Sequence, residues 1–361
     1  MRDTSQSLPA SRLVLSRVLA ALILCVSGAD LVAQDSEAAS VVQYQHVETF
    51  GSKLGIQPPK LLNRRFAKLA VGESEIRYGI AAPMGVIVDT RNRVWIADAG
   101  AASIHIFDPA KNGYQQIHRA GDVQLERPAG IDIDRQGRIY VTDSIAGNLL
   151  AFDKNGDYTR NLTHRKSERV LRAPTAIALS ENARTIYVLD PPQHAVVAFN
   201  QEGETIATFG NPGELIEPAN IAVVGDDVWV LDTGLHRVQV FTASGRLRRS
   251  LAIDGVAYPS GLAYDALRHH YFVGNPSLGT IQAFDEQGRN VGVFGGLGDA
   301  VDQVRKIDAL YVDANGRVFV VDFRDGKVTV FGELPGSDTR HYALSNSSPS
   351  DDSSTYLQRT R

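Results

Sequence analysis

Residues 130–162 read Gly130-Ile-Asp-Ile-Asp134-Arg-Gln-Gly137-Arg-Ile-Tyr-Val-Thr-Asp143-Ser-Ile-Ala-Gly-Asn-Leu149-Leu-Ala-Phe152-Asp-Lys-Asn-Gly156-Asp-Tyr158-Thr-Arg-Asn-Leu162. Apolar residues alternate over 130–134, 138–143, 149–152 and 158–162, which is the two-residue period of strands. Arg135-Gln-Gly137 and Asp153-Lys-Asn-Gly156 separate them. Such turns need residues that tolerate positive φ, hence Asp or Asn with Gly. Four short strands in about 45 residues make one blade of a β-propeller.

The same pattern recurs along the chain. An acid or amide is followed nine positions later by Phe at Asp98/Phe107, Asp143/Phe152, Asp190/Phe199, Asp232/Phe241, Asn275/Phe284 and Asp322/Phe331. Upstream stands Pro with a small residue or Asn two positions on: Pro83/Gly85, Pro128/Gly130, Pro174/Ala176, Pro218/Asn220 and Pro259/Gly261, with Ile307/Ala309 in the sixth copy. Successive anchors lie between 41 and 48 residues apart. Six copies in one register predict an all-β, six-bladed propeller of four-stranded blades over residues 61–344.

The ring must close, because an open array exposes strand edges. The last copy has three clear strands, at 308–313, 317–322 and 327–331, and needs a fourth. Residues 64–71 are expected to supply it, since their spacing to Pro83 matches that of Thr205–Gly210 to Pro218. Residues 339–344 are the competing segment. Residues 34–60 read as an N-terminal extension with strand content over Val41–Phe50. Residues 345–361 form a polar tail with nothing to bury, expected to be disordered.

Composition narrows the function. The chain of 361 residues holds 37 Lys+Arg against 41 Asp+Glu, a net charge of −4. That balance lacks the basic footprint of a nucleic-acid binder. Residues 1–33 read as a signal peptide. Arg2, Arg12 and Arg17 precede an apolar run from Val18 to Val26, and Ser27-Gly28-Ala29 and Leu31-Val32-Ala33 offer small-residue cleavage sites. The run is shorter than the roughly 20 residues of a membrane span. The expected destination is therefore the periplasm or the extracellular space, with no stable membrane span once the signal is cleaved. Cys25, the sole cysteine, lies in this segment. As a lipidation site it would want a small residue before it, where Leu24 stands. The mature chain then has no disulfide, thiolate metal site or cysteine nucleophile.

Asp232-Thr-Gly-Leu-His236-Arg237-Val-Gln-Val-Phe241, preceded by Ile221-Ala-Val-Val, resembles an NHL repeat. The resemblance covers about residues 64–331 and implies the six-bladed propeller. The other copies keep the skeleton but carry Ala102, Gly147, His194, Gly279 and Gly326 where the fourth has His236. NHL-type amidating lyases hold zinc through histidines and a calcium in the channel, so His194, His236 and Asn275 are the metal candidates here. Three protein ligands are needed for an open zinc site, and the sequence assigns no third ligand. Lactonase-like propellers hold a channel cation through Glu, Asn and Asp, and Glu126, Glu217, Asn220 and Asn275 lie in loops of that kind.

The strand-end acids are expected to cap backbone N–H groups in the loops, since a repeated residue needs only a repeated local job. Asp132-Ile-Asp134-Arg-Gln-Gly137 superficially resembles a calcium loop, but lacks the acid or amide at its fifth position and the Glu at its twelfth. No G-x-S-x-G, H-E-x-x-H or P-loop motif occurs. Arg127, Arg172, Arg237, Tyr258, Lys306 and Arg324, with His194 and His236, fall on loops predicted to share one face. The expectation is an exported non-enzymatic propeller, without cofactor, that presents this face to a protein or glycan partner in the cell envelope. The alternative is a lyase or lactonase-type hydrolase using Ca or Zn at the channel mouth.

Overall fold

The computed structural model describes residues 43–51, 79–163 and 170–333. These form six four-stranded antiparallel sheets and one two-stranded hairpin. Five blades are continuous in sequence: Pro83–Ile117, Pro128–Asn161, Ala176–Phe209, Pro218–Ala252 and Ser260–Gly295. The sixth has strands Ile307–Val312, Val318–Asp322 and Lys327–Glu333. In each blade the first strand is innermost, and it touches the innermost strands of both neighbouring blades in a closed cycle. The second blade follows the alternation closely, with strands at Pro128–Ile133, Ile139–Asp143, Asn148–Phe152 and Tyr158–Asn161.

A strand from the N-terminal side closes the ring, but from a different segment than the spacing suggests. Tyr44–Gly51 pairs antiparallel with Lys327–Glu333, from Tyr44 opposite Glu333 to Gly51 opposite Lys327. The strand content read in the extension is thus the outer strand of blade six. Residues 64–71 and 339–344 lie outside the described residues, as do the signal segment and the tail.

The core lies between the blades. Six apolar clusters each join two adjacent blades, one per interface. The repeated Phe supplies much of this filling: Phe152, Phe199 and Phe241 are wholly buried, and Phe284 and Phe331 nearly so. The closing strand serves two interfaces. Phe50 packs between blades six and one, 5.7 Å from Phe107. Tyr44 stacks on Phe294 at 4.5 Å, between blades five and six.

Strand alternation fixes two faces. The loops entering each innermost strand and the turns joining second to third strands emerge together, on what we call the entry face. Turns joining first to second and third to fourth strands emerge opposite. There, Asp89, Asp134 and Asp313 each accept backbone N–H bonds and a bond from Arg Nε four residues on, at 2.6–2.7 Å. Each guanidinium then lies over the ring two residues further, at Trp95, Tyr140 and Phe319. Asp134 is thus a turn acceptor and not part of a calcium loop.

Candidate functional site

The acids ending the second strands clamp the entry-face loops. Asp232 accepts N–H bonds from Ile216 (2.7 Å) and Glu217 (3.1 Å) in the entering loop, and from Leu235 (2.9 Å) in its own turn. Asp143 and Asp322 repeat this across their loops, and Asp190 accepts from Arg172 and Ala173 of the entering loop and from the Gln193 side chain in its own turn. Asp98 does the same for Ala81 and Ala82, and its Oδ2 stands 3.0 Å from His105 Nε2. His105 Nδ1 stands 2.7 Å from the Tyr114 hydroxyl. Burial opposes ionisation of Asp98, but the bonds from His105, Ala81 and Ala82 outweigh it and hold the carboxyl below its ordinary range. Asp98 and His105 are fully buried, so this chain stiffens blade one and meets no substrate.

Asn275 is the exception among the six. Its Nδ2 donates to Gly255 O at 3.4 Å, and its buried Oδ1 has no partner among the described residues. The loop it faces carries Tyr258, which is 72% exposed and sits at φ 52°. A bulky side chain in the left-handed region is an outlier that must be held there.

His194 and His236 also sit at positive φ, both at 51°. Ala102, Gly147, Gly279 and Gly326 share the sign at the equivalent place, from 47° to 68°. The position is therefore the left-handed residue of a tight turn, which explains its variation among Gly, Ala and His. His194 is half-buried with Nδ1 unpartnered, and His236 is exposed. Among the described residues no group of three His, Cys, Asp or Glu is placed to hold a metal ion. Glu126 and Glu217 are exposed, Asn220 lines the channel and Asn275 is buried, so these four do not share one environment.

Arg127, Arg172, Arg237, Tyr258, Lys306 and Arg324 are all exposed and all lie on entry-face loops or at their edge. The Lys306 ammonium lies 4.3 Å from the centroid of the Phe323 ring. Charges of Lys306 and Arg127 both act on Asp308, at the start of the sixth innermost strand, where burial raises the carboxyl and the two cations lower it. What the sequence reading missed is apolar. Among the described residues eleven large hydrophobic side chains are exposed, and seven belong to entry-face loops: Val123, Ile145, Ile216, Tyr258, Leu278, Leu297 and Val301. Only Leu267 lies in a turn of the opposite face. Leu278 and Leu297 belong to loops in direct contact, since a Cβ on Gly279 would meet Leu297 backbone at 2.6 Å.

Through the ring runs a channel with a cavity of about 210 Å³, lined by all six innermost strands. Its lining side chains are apolar apart from Asp132, Thr175, Asn220 and two tyrosines, Tyr264 and Tyr311, while most of the wall surface open to the channel is polar. No helix among the described residues is long and apolar enough to cross a membrane.

No family model matches the chain, and no curated protein matches it in sequence. Solved structures do resemble it. A virginiamycin B lyase from Staphylococcus aureus superposes with a TM-score of 0.55 at 13% identity, covering 81% of this chain and 89% of that one. A streptogramin B lyase gives 0.53 at 13% identity, covering 70% and 79%. A protein of unknown function from Bacteroides thetaiotaomicron gives 0.55 at 15% identity, covering 71% and 70%. At such identities the likeness speaks to architecture alone: this chain is a six-bladed β-propeller.

Proposed function

We propose that the protein is an exported binding propeller that presents its entry face to a partner in the cell envelope, with a protein partner favoured over a glycan. The observation that carries this reading is the one-sided distribution of exposed apolar side chains, seven of eleven on one set of loops. Exposed apolar side chains gathered on one face among polar residues are what docking sites present. Arg127, Arg172, Arg237, Lys306 and Arg324, interspersed with the exposed acids Glu126, Glu217 and Asp302, supply a charged rim of mixed sign. Tyr258 is held exposed at unfavourable φ, a cost that a contact residue would explain. The reading involves no cofactor and no nucleic acid, and it takes the repeats as NHL-type.

The test pairs binding with stability. The chain and its variants are immobilised, and envelope proteins retained by each are identified by mass spectrometry. Tyr258→Gly relieves the left-handed strain, so stability is expected to stay level or rise by up to about 1 kcal/mol. Retention of the specific partner is expected to fall at least tenfold, and Arg237→Ala is expected to act in the same direction. Retention unchanged in both variants would show that the entry face is not the binding surface.

A second reading keeps some support from the lyase-like architecture and from the Arg127–Asp308–Lys306 charges near the channel mouth. It is a metal-dependent lyase or lactonase-type hydrolase. Metal analysis of the protein purified without chelator separates the two. One tightly held calcium or zinc ion per chain would turn the proposal to the enzyme.

A further inference from the structure

Asp132 breaks a rule that the other five blades keep. Its place on the innermost strand is the one paired with the aromatic of the second strand, here Tyr140. The equivalent pairs are Ile87 with Trp95, Ala178 with Tyr187, Ala222 with Trp229, Ala263 with Phe272 and Tyr311 with Phe319. Five apolar or aromatic residues and one acid occupy this place, and all of them except the buried Ile87 line the channel. The strand-end acids recur because each does the same local job, whereas Asp132 has no counterpart. Three of the equivalent residues that line the cavity are alanines, Ala178, Ala222 and Ala263.

We propose that the central channel is a binding site for a small organic cation, a protonated primary amine with an apolar body, whose ammonium pairs with Asp132. Among the described residues Asp132 is the only carboxylate lining the cavity, and no Lys, Arg or His of these lines it. Its oxygens accept one N–H each, Oδ1 from Ile133 and Oδ2 from Leu179 of the next blade, both at 2.8 Å. Each oxygen keeps a second acceptor position. A buried carboxylate is costly unless a positive charge joins it, and none of the described residues brings one to the cavity.

The chemistry selects an ammonium over a metal. Calcium takes six to eight oxygen ligands and zinc about four, and one carboxylate cannot supply either set. An ammonium has three donors: one for Asp132 and two for water or the polar part of the channel wall. Leu179, Val223, Tyr264, Tyr311 and Val312, half-buried residues of the cavity lining, offer the body apolar surface. The cavity of about 210 Å³ is ample, since about 150 Å³ suffices to take benzene. Burial pushes the Asp132 carboxyl up to about 7, with the like charge of Asp134 adding to it, and Tyr264 and Tyr311 are the other titratable groups lining the cavity. The carboxyl is thus ionised at pH 8.

Calorimetric titration of the full chain at pH 8 with benzylamine, benzyl alcohol and calcium chloride tests the proposal. Benzylamine is expected to bind once per chain, at least tenfold tighter than benzyl alcohol, and calcium not to compete. Asp132→Asn keeps one acceptor oxygen and is expected to weaken benzylamine at least tenfold while leaving benzyl alcohol unchanged. Should that variant not fold, Ala222→Leu narrows the channel from another blade with Asp132 intact, and is expected to weaken both ligands. Absence of benzylamine binding to the native chain, equal binding by Asp132→Asn, or preferential calcium binding would each overturn the proposal. None of these outcomes depends on the entry face.

Discussion

A residue repeated in every blade and a residue found in one carry different information. The acids at 98, 143, 190, 232 and 322 all hold backbone N–H groups, so recurrence itself announced a structural job. His194 and His236 looked like a metal pair because they are equivalent, yet equivalence follows from a turn that needs positive φ. Asp132 was visible in the sequence only as part of a discarded calcium loop, because nothing in alternation marks which side chain enters the channel. It also makes a pH-dependent contribution to stability. Its folded pKa of about 7 lies above the ordinary 3.8, so the folded state holds this proton more tightly than the unfolded chain. The contribution is fully present below pH 4 and is lost as pH rises to 7. At about 1.4 kcal/mol per pKa unit, and discounted for the open cavity, Asp132→Asn should remove about 2–4 kcal/mol of this fall. Urea unfolding of both proteins from pH 4 to pH 8 reads the difference. Parallel stability curves would show that Asp132 ionises normally in the channel.

At the scale of elements, a strand end and two loops act as one unit. Asp232 accepts three part-buried N–H bonds, and removing the acceptor takes from all three their partner at once. Asp232→Ala is expected to cost about 3–5 kcal/mol, from several orphaned donors at about 1–3 kcal/mol each with partial relaxation. Hydrogen exchange should place the loosening at Ile216, Glu217 and Leu235, and exchange unchanged there would dissociate the acid from the loops. Strands were legible because alternation, turn residues and a repeated Phe agree at every copy. Loops were not. Ile216, Leu278, Leu297 and Val301 are apolar residues in segments without a period, and such residues look alike in sequence whether they fill a core or meet solvent. The basic residues of the same face were found because charge is seldom buried.

Six blades bury their apolar faces only against one another, so the molecule depends on the joint where its last sheet is completed. That joint was placed by spacing, and spacing was the wrong guide. Loop-closure entropy grows only slowly with length, so a longer connection before blade one costs little. Packing decides instead: Tyr44–Gly51 carries Tyr44 and Phe50 at its two ends, and these reach the interfaces on either side of blade six. Residues 64–71 won on distance to the next anchor, a quantity that antiparallel pairing does not read. The joint also covers the ladder edge of Lys327–Glu333, which would otherwise offer unpaired groups to another chain. Phe50 is 4% exposed, whereas Val47 on the same strand is 49% exposed. Phe50→Ala should therefore cost about 3–5 kcal/mol, and Val47→Ala less than about 0.5 kcal/mol. Chemical unfolding measures both. Because one strand serves two blade interfaces, the loss in Phe50→Ala should appear as one cooperative transition at lower denaturant. A separate early melting of blade six, with the other five blades intact, would show that the ring stands without its closing strand.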